Sequence, residues 1–126
     1  MQTATLLGSA PSGISGMHVE VVPTNRAAVL VPDGDLNAAS GAELKRTLED
    51  LLAKGNTRLV VDMERVAYVD SIAWGELAKA ATRARGAGGE LRICAMCGEL
   101  LAILTMIRLS GVIAVFPTRE LATVFS

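Results

Sequence analysis

Short apolar runs separated by helix-length amphipathic stretches constrain this chain more than any other feature. Arg58-Leu59-Val60-Val61-Asp62 is the clearest run. Its β-branched, non-alternating centre reads as a strand covered on both faces, which is the pattern of a parallel sheet. Before it, Leu44, Leu48, Leu51 and Leu52 fall at i, i+4, i+7 and i+8, one buried helical stripe. Glu43, Lys45, Arg46, Glu49 and Asp50 mark its wet side, and Gly55 is a natural stop. Ser40-Gly41-Ala42-Glu43 fits a capping box at its start, with Asn37 an earlier alternative cap.

The same alternation extends in both directions. His18 to Val22 and Ala27 to Val31 read as two strands joined by the turn residues Pro23 to Arg26, hence a hairpin. Helix is predicted from Ser71 to Arg85, stopped by Gly86-Ala87-Gly88-Gly89, and strand over Glu90 to Cys94. An apolar helix over Leu100 to Leu109 precedes a last strand over Val112 to Phe116 and a short helix opened by Pro117. A hairpin followed by strand–helix–strand units gives an α/β domain with a mixed sheet of about five strands and about four helices. Residues 1–16, rich in Ala, Ser, Gly and Thr, read as a flexible leader before a single domain over 17–126.

Charge and composition narrow the function. Lys plus Arg is 12 against 13 for Asp plus Glu, giving a net charge of -1, so no broad cationic surface is expected for nucleic acid. Aromatic residues make up 3%, too few for base-stacking platforms. His18 is the single histidine, which leaves no pair for a metal site or proton relay. No cofactor or metal is expected, and no catalytic residue. Leu100 to Phe116 is greasy, but Thr105, Arg108, Ser110 and Gly111 interrupt it short of the roughly 20 apolar residues of a membrane span. With no basic n-region ahead of Leu6-Leu7, a cytoplasmic location is expected.

Asp70-Ser71 is the most informative pair. It lies where a strand-like stretch gives way to helix, so its groups sit among unpaired amides at the positive end of the helix dipole. Either residue can serve simply as a cap. Ala73, Leu77, Ala80 and Ala84 form one apolar row, and Trp74, Leu77, Ala78 and Ala81 the adjacent one. Glu76, Lys79 and Arg83 mark the wet side, and Ile72 shares it. An exposed Ile beside a capping Ser calls for a covering surface, either a neighbouring loop or a partner.

The ordered set of motifs resembles the STAS domain family, especially bacterial anti-sigma factor antagonists. Gly34-Asp35-Leu36-Asn37 resembles the family's G-E-L-D-like turn, and Val69-Asp70-Ser71 its D-S-S-G-L-G segment. Gly88-Gly89-Glu90-Leu91 resembles its G-G-E-L, and Ser110-Gly111-Val112 with Val115-Phe116 its T-G-L…I-F ending. The resemblance implies a phosphorylation site at Ser71, the serine directly after the Asp. It implies a partner switch: the unmodified antagonist binds an anti-sigma factor of the serine-kinase type, phosphorylation breaks the complex, and a phosphatase restores it. Asp35, Asn37, Asp70, Ser71, Ile72, Gly75 and Glu76 are then the expected partner surface. The family also includes unswitched scaffold subunits of phospholipid-transport ATPases and stress-sensing complexes, an alternative that stays open.

Two features depart from that pattern. Ile72-Ala73-Trp74-Gly75 stands where the family has S-G-L-G. The stretch from Cys94 to Ser110 is longer than usual and lacks the helix-starting Pro. Its Leu100-Leu101-Ala102-Ile103-Leu104 is read as a core helix, with a homodimer surface as the alternative. Cys94-Ala95-Met96-Cys97 has the spacing of a thiol redox pair or half a zinc site. The preferred reading is a buried strand-end Cys94 and a loop Cys97, because the pair does not follow an early strand and faces no Pro.

Overall fold

The computed structural model describes residues 17–125 apart from residue 24, so the expected leader over 1–16 lies outside the described residues. Five strands form one sheet in the order β1-β2-β3-β4-β5: Met17–Val21, Ala28–Pro32, Arg58–Asp62, Glu90–Cys94 and Ala114–Phe116. β1 pairs antiparallel with β2, and every later pair is parallel. The mixed α/β architecture is therefore the one the alternation implies. Among the described residues four α-helices join or follow the strands: α1 Ala38–Ala53, α2 Ser71–Gly86, α3 Gly98–Met106 and α4 Arg119–Ala122. None of the described helices is long and apolar enough to cross a membrane.

Alternating strand residues divide the core in two. On one face Leu30, Leu59, Val61, Leu91 and Ile93 meet Leu44 and Leu48 of α1, Ala73 and Leu77 of α2, and Leu100 and Leu104 of α3. On the other, Val29, Val60 and Cys94 meet Ala122 of α4, with Phe116 and Phe125 beside them. Asp62 is the buried charge of the described residues, and Arg119 of α4 holds it through Nη2 at 2.9 Å and Nε at 3.0 Å. Arg92 stacks on Phe125 at 3.8 Å and donates to the Val124 carbonyl, which fastens the C-terminal segment to β4.

Most element ends shift by a residue or two from expectation, and three boundaries differ for a visible reason. The α1 cap is Asn37, not Ser40: Asn37 Oδ1 accepts from the Ala39 and Ser40 amides, and Ser40 Oγ accepts from the Asn37 amide. Starting a turn earlier gains backbone hydrogen bonds and still satisfies the free amides. α3 stops at Met106 rather than Leu109, because Arg108 turns left-handed at φ 64° and a short 3-10 turn, Leu109–Gly111, follows. β5 consequently begins at Ala114, two residues later than expected.

Candidate functional site

Two loops at the carboxyl ends of β2 and β3 build the site. The first runs from Asp33 to Asn37, where Gly34 adopts φ +107°, a left-handed turn that favours glycine. The second runs from Met63 to Asp70. The Gly34 amide donates to the Arg65 carbonyl at 3.1 Å, and an Arg65–Asp33 ion pair at 3.6 Å spans the same gap. Further on, the Leu36 amide donates to the Tyr68 carbonyl at 2.8 Å and the Asp70 amide to the Leu36 carbonyl at 2.9 Å. Leu36 and Val69 thus form a parallel bridge, which fixes the starts of α1 and α2 side by side. Gly41 and Ala73 meet at that contact: a Cβ on Gly41 would lie 3.5 Å from the Ala73 Cβ, an ordinary van der Waals distance.

Asp70 caps α2, its Oδ1 accepting from the Ala73 amide at 2.8 Å. The carboxylate is thereby committed to the helix start. Ser71 is the first residue of the helix and is exposed, and its amide and that of Ile72 have no protein acceptor among the described contacts. Ile72 is 58% exposed, so no neighbouring loop tucks over it. Asp35, Asn37, Asp70, Ser71, Ile72 and Gly75 therefore belong to one end of the molecule, with Asp35, Asn37, Ile72 and Gly75 open to solvent.

A family model for the STAS domain matches residues 18–122. The chain belongs to the STAS domain family. Its fold is close to that of a putative anti-sigma factor antagonist from Thermotoga maritima, with a TM-score of 0.78 at 18% identity, covering 84% of this chain and 90% of the other. The anti-sigma factor antagonist SpoIIAA in its unphosphorylated form gives 0.68 at 15% identity, over 82% of this chain and 90% of that one. An antagonist from Mycobacterium paratuberculosis gives 0.72 at 17%, over 84% and 90%. At such identities the likeness is one of fold. No match is found among curated protein sequences.

Within this STAS domain, Glu76 departs from its expected place on the wet side. Its side chain is only 15% exposed and lies between α1 and α2, near Lys45 and Glu49 and 3.7 Å from Lys79 Nζ. The helical period puts it opposite the core, but α1 closes over that flank. Tyr68 lies in the apolar run Val66-Ala67-Tyr68-Val69 that leads into Asp70 and is not among the expected site residues. Only Val66 and Val69 of that run turn inward, while Tyr68 is 53% exposed beside Asp70. On α3, Leu100 and Leu104 are buried as a core helix requires, yet Leu101, Met106 and the C-cap Ile107 are exposed.

The cysteines take the structural places expected of them. Cys94 is buried at the end of β4 and Cys97 is exposed before α3. Burial, with the Asp62 charge adding, pushes the Cys94 thiol from 9.0 up to about 12. Such a thiol is protonated at neutral pH and is a poor nucleophile or metal ligand. Among the described residues no group of three or more His, Cys, Asp or Glu is placed to hold a metal ion.

Proposed function

We propose that this STAS domain is an anti-sigma factor antagonist-like partner-switching protein, acting by binding rather than catalysis. In this reading it works in the cytoplasm and engages an anti-sigma factor of the serine-kinase type. Phosphorylation of Ser71 dissolves the complex, and a phosphatase resets it. The observation that carries the reading is the exposed Ser71–Ile72 step at the first turn of α2, directly after the capping Asp70. The resemblance matches Ser71 to the family's phosphorylated serine, and one solved structure of similar fold is SpoIIAA in its phosphorylated form.

The chemistry suits a switch. A phosphoryl group adds about -1.5 to -2 charges and strong acceptor oxygens. At Ser71 it meets the open first-turn amides, so the domain can carry it without refolding. The same charge beside Asp70 and next to apolar Ile72 opposes burial under a partner. An electrostatic and desolvation cost of about 3 kcal/mol weakens a complex roughly a hundredfold. Asp35, Asn37, Asp70, Ile72 and Gly75 form the remaining partner surface, with Glu76 contributing at its flank.

Incubation with ATP and the cognate kinase, followed by mass spectrometry, tests the modification. Phosphate is expected on Ser71 and is lost in Ser71→Ala. In a pull-down, wild type is expected to retain the anti-sigma factor and Ser71→Asp to release it. Phosphate confined to other residues, or equal capture of both forms, rejects the switch and leaves an unswitched scaffold subunit as the better reading.

A further inference from the structure

Helix α3 presents an apolar face that no described residue covers. Leu101, Met106 and the C-cap Ile107 are 43%, 71% and 44% exposed, while Leu100 and Leu104 hold the opposite face in the core. No residue from Leu100 to Ile107 is charged. The Thr105 hydroxyl donates to the Leu101 carbonyl at 3.0 Å, so it is already satisfied within the helix. Beside Ile103 and Ile107 the face runs on into a groove of about 510 Å³ against Trp74 of α2. Exposed apolar surface of this kind marks a contact with another molecule.

The charges of this face sit at its two ends and are opposite in sign. Glu99 lies at the start of α3 and Arg108 just past its finish, and both are exposed. Neither side chain has an ion-pair or hydrogen-bond partner among the described residues. A second copy of α3 laid antiparallel about the midpoint between Ile103 and Leu104 brings its Arg108 level with Glu99, and its Met106 level with Leu101. A surface that is acidic at one end, apolar in the middle and basic at the other is therefore its own complement under a two-fold axis, as an isologous dimer requires. A foreign partner requires no such relation. Arg108 also leaves the helix in the left-handed region, at φ 64° and ψ 31°, where glycine is the usual residue. An arginine holds that unfavourable backbone although its side chain has no polar partner in its own chain.

We propose that the exposed face of α3 is the interface of a homodimer in which two copies pack antiparallel about a two-fold axis, Glu99 of each facing Arg108 of the other. A helix of 9 residues offers less than a standard interface, so the dimer is weak and concentration-dependent. The inference does not rest on the Ser71 reading.

Sedimentation velocity of the whole protein from about 10 µM to 1 mM spans the affinities of such an interface. The average mass is expected to rise with concentration towards twice that of the chain. Leu101→Asp is expected to abolish the rise while keeping the wild-type circular dichroism. Glu99→Arg makes both ends basic and Arg108→Glu makes both acidic, so each alone is expected to dimerise about 10-fold more weakly or worse. An equimolar mixture of those two variants is expected to recover the wild-type affinity, because each then supplies what the other lacks. Mixing leaves the helix dipole of each chain as it was, so recovery reports pairing between copies. Arg108→Gly is expected to dimerise about 3- to 10-fold more weakly, the worth of one exposed ion pair at each end, yet to melt no lower than wild type. A monomer at every concentration overturns the proposal. So does a dimer that survives Leu101→Asp, or a mixture that stays as monomeric as its parts. Loss of anti-sigma factor capture in Leu101→Asp, with wild type monomeric throughout, gives this face to that partner and equally overturns the dimer.

Discussion

Ile72 and Leu77 stand one turn and a half apart on the same helix, and the structure gives them opposite duties. Ile72 is 58% exposed and Leu77 is fully buried. Ile72→Glu is expected to leave the melting temperature nearly unchanged, since exposed substitutions cost within about 0.5 kcal/mol, while sharply weakening partner capture. Leu77→Glu places a carboxylate in the core and is expected to unfold the domain. Calorimetry beside a pull-down separates the two, and equal melting losses would remove Ile72 from the interface. The cysteines divide in the same way. With a chromogenic disulfide reagent at neutral pH, Cys97 is expected to react quickly and Cys94 only on unfolding. The raised Cys94 value also has a sign: the folded state favours the protonated thiol. Its contribution to stability is full below pH 9, the ordinary value, and is lost as pH rises from there to about 12. Urea melts across that range are expected to show the fall in wild type and a shallower one in Cys94→Ala. How legible these residues were differs for a physical reason. Ile72 and Cys94 betray themselves by type and position within one element. The burial of Glu76 is invisible in the sequence, because it depends on α1 crossing the flank of α2.

At the scale of the element, boundaries follow whichever capping arrangement satisfies most amides. α1 illustrates the point, since Ser40 and Asn37 both offer a cap and the longer helix wins. The Gly88-Gly89 pair after α2 is fixed by two different demands. Gly88 adopts φ +88°, and Gly89 passes so close to Thr57 that a Cβ there would collide with its carbonyl oxygen. That contact holds the start of β4 against β3, with the Glu90 amide donating to the Thr57 carbonyl at 2.9 Å. Gly89→Ala is therefore expected to cost about 1–3 kcal/mol, the usual penalty of forced overpacking. Gly86→Ala, which has open space around it, is expected to be neutral or stabilising by thermal melting. Equal effects of the two would show that β4 can shift to accommodate the methyl group.

The whole molecule is closed by its C-terminal end. Arg119 joins Asp62 of β3 and, through Nη1 at 3.0 Å, Glu20 of β1, so α4 clamps strands distant in sequence. Partial burial opposes the guanidinium charge, but the hydrogen bond and charge of Asp62 raise it above its ordinary value. Arg119→Met leaves Asp62 buried and unpaired, at a cost of about 3 kcal/mol at pH 7. Asp62→Asn in the same chain keeps the acceptor for the Glu64 amide and removes the charge, so the double variant is expected to recover much of that loss. A double variant as unstable as Arg119→Met would show that packing, not the stranded charge, carries the effect.

The sequence by itself determined the sheet, the alternation of strands and helices, and the place of Ser71 after Asp70. Each follows from local periodicity and from amides that need a cap within a few residues. The tertiary structure decided what the helices share. It set α1 against α2 through Gly41 and Ala73, turned Glu76 inward, exposed one side of α3, and opened the groove beside Trp74. These depend on distances between residues far apart in the chain, which no period of 2.0 or 3.6 residues encodes.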